Sequence, residues 1–145
     1  MARRIMLNGT SYFGQGAIQE IVNEIKNRHF KKVLVTSTPD LFEFKVATKV
    51  TDLLDAAGIA YDVYDNIKPN PTIENVTSGV AACKAAGAEA IVAVGGGSAI
   101  DTSKAIATIM TNPEFSDVRS LEGLAPTKHP CLPIIAVSTT SGTAA

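Results

Sequence analysis

The sequence predicts an α/β fold, a Rossmann-like parallel sheet with helices on both faces. Short apolar segments alternate along the chain with longer segments of helical periodicity, so strands and helices follow one another in turn. The strand segments, such as residues 90–94 (AIVAV), are continuous apolar runs, which is typical of parallel strands buried on both faces. A short N-terminal strand pair, residues 4–8 and 11–14, is predicted ahead of this alternation.

The helices are predicted from their periodicity and from the residues at their ends. Gly58 and Gly87 stand where two helices stop, and glycine readily adopts the left-handed conformation that ends a helix. Thr72 stands where a helix begins, as an N-cap whose hydroxyl accepts a backbone N–H. The predicted helices are residues 17–30, 45–58, 73–87 and 98–110, with a further short helix near residues 115–121.

The strands of the predicted sheet direct attention to the loops that follow them. Besides the N-terminal pair, the predicted strands are residues 32–37, 59–65, 90–94 and 131–139. In open parallel sheets, ligands bind beyond the carboxyl ends of the strands. The four loops that leave those ends are rich in small polar residues: TSTPDL (36–41), NIKPNPT (66–72), GGGSAID (95–101) and STTSGTAA (138–145).

The composition is that of one ordinary globular domain. The 145 residues carry a net charge of −1 without a basic cluster, so nothing supports electrostatic binding of nucleic acid. No apolar run is long enough to span a membrane or to form a signal peptide, and a cytoplasmic protein is expected. Cys83 and Cys131 are expected to be two buried thiols in a reducing compartment. His29 and His129 have no neighbours at metal-ligand spacing.

The strongest local feature is the run of three glycines, Gly95, Gly96 and Gly97, after a predicted strand. Ser98 and Asp101 have the spacing of a capping box at the start of the next helix. A tight turn with a well-made helix start would account for one or two glycines, whereas three indicate an anion that the backbone must approach closely. The pattern is neither the usual dinucleotide fingerprint nor a P-loop, so these residues alone predict only a phosphate-bearing ligand.

The other loops leave two interpretations open. Asn70, between Pro69 and Pro71, is either a positioned amide for a ligand or part of a proline-terminated strand end. Lys104 either faces the ligand or is a solvated helix lysine. The hydroxyls of residues 138–145 could contact a ligand, although hydroxyls in turns commonly satisfy local backbone groups.

Three segments together carry a family resemblance: KPNPT (68–72), GGGSAIDTSKAIA (95–107) and STTSGTAA (138–145). In this order and at these separations they resemble the iron-containing (group III) alcohol dehydrogenases, and the resemblance extends over essentially the whole chain. It implies a dehydroquinate synthase-like N-terminal domain. Residues 1–145 would then be a truncated N-terminal NAD(P)-binding domain, without the helical C-terminal domain that binds the metal.

The resemblance also implies roles for individual residues. Gly95, Gly96, Gly97 and Ser98 would hold the cofactor pyrophosphate, and Asp101 would cap the loop near the nicotinamide. The remaining residues that the resemblance places beside the cofactor are Asn70 at the ribose–phosphate region and Thr139, Thr140 and Thr143 at the adenine and pyrophosphate side.

The implied cofactor is NAD(H) rather than NADP(H). Thr38 occupies the position at which an aspartate binds the adenosine ribose in part of the family, and Asp40 lies two residues further on. A neutral hydroxyl at residue 38 would not repel a 2′-phosphate, so this position does not decide between the two cofactors. The family's Fe²⁺ or Zn²⁺ would be held by one Asp and three His of the missing domain, and no metal ligand is assigned within this chain.

The function implied is that of a metal-dependent NAD(P) oxidoreductase. Its substrate would be a short-chain alcohol or diol and the corresponding aldehyde, of the 1,2-propanediol and lactaldehyde kind. The family resemblance also implies a homodimer, and no catalytic residue is expected within residues 1–145. Two alternatives remain: a glycerol dehydrogenase or dehydroquinate synthase-like enzyme on the same scaffold, or a nucleotide-binding module that is inactive as it stands.

Overall fold

A computed structural model describes residues 9–122 and 125–139. Within them, four parallel strands form one sheet in the order β2-β1-β3-β4. The strands are β1 (Lys32–Thr36), β2 (Ala60–Tyr64), β3 (Ala90–Gly95) and β4 (Ile134–Ser138). Helical crossovers connect them, which confirms the predicted α/β architecture.

The helices lie close to their predicted positions. They are α1 (Glu20–Asn27), α2 (Pro39–Glu43), α3 (Thr48–Ala56), α4 (Ile73–Ala86) and α5 (Gly97–Thr111). Short 3-10 helices occupy Ala17–Gln19, Pro113–Phe115 and Val118–Leu121. Thr72 caps α4 as predicted, and Gly87 ends it with a left-handed φ of 63°.

The central strands β1 and β3 are buried on both faces because their side chains alternate between two cores. Leu34 and Ile91 pack with α4 and α5 on one face. Val33 and Val35 pack with α1 and α3 on the other. On the first face, Gly79 of α4 allows close contact with Ile106 of α5, because a Cβ at residue 79 would collide with the Ile106 side chain.

Two boundaries differ from the sequence prediction. The segment between β1 and α3 contains α2, a short helix that begins at Pro39, where the missing N–H and fixed φ of proline suit the first helical position. The last strand begins at Ile134 rather than near Cys131, and Pro133 immediately before it has no N–H to donate to a sheet ladder.

The predicted N-terminal strand pair lies only partly within the described residues. Residues 4–8 lie outside the described residues, and residues 11–14 form no strand. In this segment Phe13 is 90% exposed, and the Tyr12 hydroxyl donates to the Glu24 carboxylate of α1 at 2.6 Å.

No helix in the described part of the chain is long and apolar enough to cross a membrane.

The two cysteines have different environments, which corrects the expectation that both are buried. Cys83 is fully buried in α4, whereas Cys131 is exposed in the segment that enters β4. Burial raises the pKa of the Cys83 thiol to about 11. Both thiols are free rather than joined in a disulfide.

Native labelling should therefore distinguish the two thiols. At about pH 8 the thiolate is the reactive form, so a thiol reagent should modify Cys131 rapidly and Cys83 only after unfolding. Mass spectrometry of peptides from native and denatured samples measures this, with Cys131→Ser as the control that removes native labelling. Equal native reactivity of both residues would contradict the burial of Cys83.

Candidate functional site

The neighbouring carboxyl ends of β1 and β3, called the crevice here, lie where the chain changes direction across the sheet. From β1 the chain continues outward to β2, whereas from β3 it continues in the opposite direction to β4. The neighbouring ends of β1 and β3 are therefore a topological switch point, the place where open parallel sheets bind ligands. The loop after β3 at this point is the glycine turn, defined here as Gly95–Gly97.

Gly95 makes the turn by adopting a backbone conformation that other residues rarely reach. Its φ is +148°, in the range that glycine tolerates best. A Cβ at residue 95 would lie 2.7 Å from the Ala99 Cβ and 3.3 Å from the Leu41 Cδ1. Both conformation and space thus require glycine, which lets the first turn of α5 pack directly on the end of β3.

The helix after the turn begins at Gly97, with Gly96 as its N-cap, and no side chain caps it. The predicted capping box of Ser98 and Asp101 is therefore wrong. The helix starts before Ser98, whose carbonyl instead accepts from the Thr102 hydroxyl at 2.7 Å. Asp101 is exposed and pairs at 3.4 Å with Lys104, which is itself 54% exposed.

This helix start presents backbone donors at the crevice. Ile100 donates its N–H to the Gly96 carbonyl, but the first turn of a helix gives the N–H groups of Gly97, Ser98 and Ala99 no intrahelical acceptor. Gly96, Gly97 and Ser98 are only half-buried. An anion at this position would meet those N–H groups and the positive end of the helix dipole, so the residues present fit a phosphate group.

The loop after β1 forms the opposite side of the crevice. Thr38 is half-buried and is the N-cap of α2, without a hydrogen bond from its side chain to the helix. Asp40 follows in the first turn of α2 and is exposed. Contact between α2 and the glycine turn is shown by Leu41, whose side chain lies beside Gly95.

The loop after β4 is joined to the glycine turn by the backbone. Ser138 lies opposite Gly95 in the parallel register, and the Thr139 N–H donates to the Gly95 carbonyl at 3.0 Å. Thr139 thus lies directly beside the turn. Thr140 and Thr143 lie outside the described residues.

The loop after β2 is organised by one buried side chain, Asn75 of α4. Its amide nitrogen donates to the Asn66 carbonyl at 2.9 Å, and its oxygen accepts from the Lys68 and Thr72 N–H groups at 3.4 Å. Asn70 lies at the exposed tip with a left-handed φ of 57°. The hydrogen bonds of Asn75 thus hold the backbone on both sides of Asn70. This loop lies at the same edge of the sheet as the other three loops.

Residues 9–122 and 125–139 contain no group of three or more His, Cys, Asp or Glu side chains that could hold a metal ion. The hydrogen-bond donors at this edge of the sheet are backbone N–H groups and hydroxyls.

Three hydroxyls, those of Thr36, Ser37 and Ser103, are buried beneath this edge of the sheet. Sequence patterns included Thr36 and Ser37 in a polar loop and did not single out Ser103. Thr36 and Ser37 end an apolar strand segment (VLVTS). A polar pair at the end of such a segment was the only sequence feature that could have indicated buried hydroxyls here. Their partners lie 57 and 67 residues away in sequence, so their contacts follow from the fold alone.

The iron-containing alcohol dehydrogenase family model matches residues 8–145. The chain belongs to this family. The match includes all four loops at the carboxyl edge of the sheet, so the resemblance read from the KPNPT, GGGSAIDTSKAIA and STTSGTAA segments is confirmed.

Similar proteins within the family include enzymes of short-chain alcohols. Lactaldehyde reductase of Escherichia coli is 50% identical over 145 residues, covering this whole chain and 38% of that enzyme. The alcohol dehydrogenase of Oenococcus oeni has a TM-score of 0.88 and 33% identity, over 98% of this chain and 37% of that one. NADH-dependent butanol dehydrogenase A of Thermotoga maritima has a TM-score of 0.84 and 32% identity, over 97% of this chain and 35% of that one. The chain therefore spans little more than a third of these iron-containing relatives.

Proposed function

We propose that residues 1–145 are the NAD(P)-binding domain of a longer, metal-dependent oxidoreductase. Its reaction interconverts a short-chain alcohol or diol and its aldehyde, of the 1,2-propanediol and lactaldehyde type. The 50% identity to lactaldehyde reductase supports this substrate class. The observation that carries the cofactor role is the glycine turn at the switch point, which begins a helix that no side chain caps.

In this proposal the chain binds and orients the cofactor. The N–H groups of Gly97, Ser98 and Ala99 donate to the pyrophosphate, and Gly96 lets it approach the backbone. A bound nicotinamide supplies hydride chemistry to the reaction. In this proposal the divalent metal, Fe²⁺ or Zn²⁺, is held by a helical domain outside residues 1–145.

The other loops complete the proposed cofactor site. Asn70 approaches the ribose–phosphate region, and Thr139, Thr140 and Thr143 line the adenine and pyrophosphate side. Support for Thr139 is its hydrogen bond to Gly95, which places it beside the turn. Asp101 is proposed to lie toward the nicotinamide, without the capping contact that the sequence suggested.

We propose NAD(H) as the preferred cofactor. The likeness to an NADH-dependent butanol dehydrogenase supports this choice. On the chain itself, the nearest carboxylate after β1 is that of Asp40, whereas Thr38 at the start of α2 is neutral.

The substitution Thr38→Asp should strengthen this preference. A second carboxylate near the 2′-position would repel a 2′-phosphate, and like charges near a protein surface interact by about 1–4 kcal/mol at 4 Å. The ratio of NADPH to NADH dissociation constants should therefore rise at least about tenfold. Fluorescence titration of both reduced cofactors measures the ratio. The neutral Thr38→Asn variant is the control, and an unchanged ratio in Thr38→Asp would remove residue 38 from the ribose site.

The activity is tested on the full-length protein. It is loaded with Fe²⁺ or Zn²⁺ and assayed with NADH or NADPH against lactaldehyde and other small aldehydes. Oxidation of either reduced cofactor is expected, and its absence with every metal and aldehyde would count decisively against the proposal. Calorimetry of the 145-residue chain with both cofactors provides a second test: binding without turnover is expected if this chain is the cofactor half.

We further propose that the enzyme is a cytoplasmic homodimer. The exposed Tyr12 and Phe13 line a cleft of about 710 Å³ between residues 9–14, α1 and β4, whose lining is both polar and apolar, and this cleft offers surface for a second copy. Two free thiols are compatible with a reducing compartment. Analytical ultracentrifugation of the full-length protein is expected to show a dimer, and a monomer at micromolar concentration would contradict this part of the proposal.

A further inference from the structure

Two consecutive hydroxyl residues at the end of β1, Thr36 and Ser37, reach the elements that carry the glycine turn. Both are fully buried. An apolar side chain could fill such a position without a hydrogen-bond partner. A buried hydroxyl without a partner would lower the stability of the fold. The partners of these two hydroxyls lie on β3 and α5, across the switch point from the loop after β1.

The Thr36 hydroxyl is joined to the first turn of α5 through Ser103. Its Oγ1 lies 2.7 Å from the Ser103 Oγ, and the Ser103 Oγ donates to the Ala99 carbonyl at 2.7 Å. A hydroxyl has one proton, and that of Ser103 goes to Ala99, so Thr36 is the donor to Ser103. These hydrogen bonds therefore connect β1 to Ala99, whose Cβ packs against Gly95.

Ser37 joins the ends of two further strands. Its N–H donates to the Tyr64 carbonyl of β2 at 3.1 Å, which continues the pairing beyond the end of β1. Its Oγ donates to the Val94 carbonyl of β3 at 2.7 Å, one residue before Gly95. Val94 lies beyond the last residue pair between β1 and β3, so the side chain supplies a bond where the ladder has ended.

We propose that Thr36, Ser37 and Ser103 form a hydroxyl clamp that positions the glycine turn for the cofactor pyrophosphate. This inference rests on the proposed function. The clamp residues touch no ligand and act through the turn: Ser37 fixes the backbone that enters Gly95, and Ser103 fixes the Ala99 backbone that follows the turn. Because both bond chains begin at the end of β1, they tie β1 to the end of β3 and to the first turn of α5.

The clamp predicts a specific defect in the variant Thr36→Val, which keeps the shape of the side chain and removes its hydroxyl. The dissociation constants of NADH and ADP-ribose, which share the pyrophosphate, should rise about tenfold, since small misplacements of a binding group have large effects. The kcat at saturating NADH should stay near that of the wild type. Calorimetry and steady-state kinetics of the full-length enzyme measure both quantities.

Two further variants separate positioning from general loosening of the fold. Thr51→Val removes another buried hydroxyl, one that donates to the Thr48 carbonyl within α3, and should lower stability without weakening NADH binding. Thr36→Ser keeps the hydroxyl and should retain the wild-type affinity. Ser37→Ala removes the hydrogen bond to the Val94 carbonyl and should weaken NADH binding to a similar extent. It provides the test if Thr36→Val fails to fold.

The outcomes are distinct. Wild-type affinity in both Thr36→Val and Ser37→Ala, or an equal loss in Thr51→Val, overturns the clamp and leaves the proposed function standing. A wild-type enzyme that binds neither NADH nor ADP-ribose overturns the proposed function, and the clamp with it. A selective rise in dissociation constant, reversed by Thr36→Ser, supports the clamp.

Discussion

The variant Gly95→Ala is expected to lower the free energy of unfolding by about 3 kcal/mol. Two costs add in this substitution. A φ of +148° strains any residue that has a Cβ, at about 1–3 kcal/mol. The new methyl group would also lie 2.7 Å from the Ala99 Cβ, and overpacking of this kind typically costs about 1–3 kcal/mol. Urea denaturation of wild type and variant measures the difference.

Gly87→Ala is the control for the backbone strain that alanine suffers at a positive φ, without the packing cost. Gly87 also has a positive φ, of 63°, but a Cβ there would have no neighbour within 4 Å. This variant should lose only about 1 kcal/mol, the usual cost of placing alanine in a left-handed conformation. If both variants lost the same stability, the close contact between Gly95 and Ala99 would have no energetic importance.

The variant Gly96→Val is expected to have the opposite profile, with a large loss of binding and a small loss of stability. Gly96 has φ −87° and ψ −166°, an extended conformation that any residue adopts, so its backbone does not require glycine. A branched side chain on this half-exposed residue would occupy the space through which a pyrophosphate approaches the helix start. The NADH dissociation constant should rise about a hundredfold, equivalent to about 2.7 kcal/mol.

The stability of Gly96→Val should fall by only about 1 kcal/mol, because valine is a poorer N-cap than glycine. Calorimetric titration with NADH and urea denaturation of the same preparation give the two numbers. Gly9→Val, at an exposed glycine in the N-terminal segment with no atom near its Cβ position, should change neither. Wild-type NADH affinity in Gly96→Val would end the assignment of the glycine turn to the pyrophosphate.

Most of the secondary structure could be predicted because its signals are local. Thr72 and Gly87 mark the ends of α4 through their own side-chain and backbone chemistry, and the structure confirms both. The start of α5 was misread because Ser98 and Asp101 have capping-box spacing, yet the run of glycines lets the helix begin at Gly97. The spacing of residue types in the sequence does not show at which residue of this segment the helix begins.

The gathering of the four loops at one edge was also predictable, since parallel strands place all their carboxyl ends together. What the sequence did not provide was the strand order, which decides which loops touch. The bonds from Thr139 to Gly95 and from Ser37 to Val94 exist because β4 and β1 flank β3. Such pairings depend on the global packing of the sheet rather than on any local pattern.

The packing of α4 on α5 has a mechanical consequence. Through Asn75, α4 holds the proline loop at residues 66–72, and α5 carries the glycine turn at its first residues. The two helices are in close contact at Gly79 and Ile106, which opposes sliding of one helix along the other. This contact should limit independent movement of the two loops. A molecule that bridged them would then lose less of its binding energy to ordering the protein.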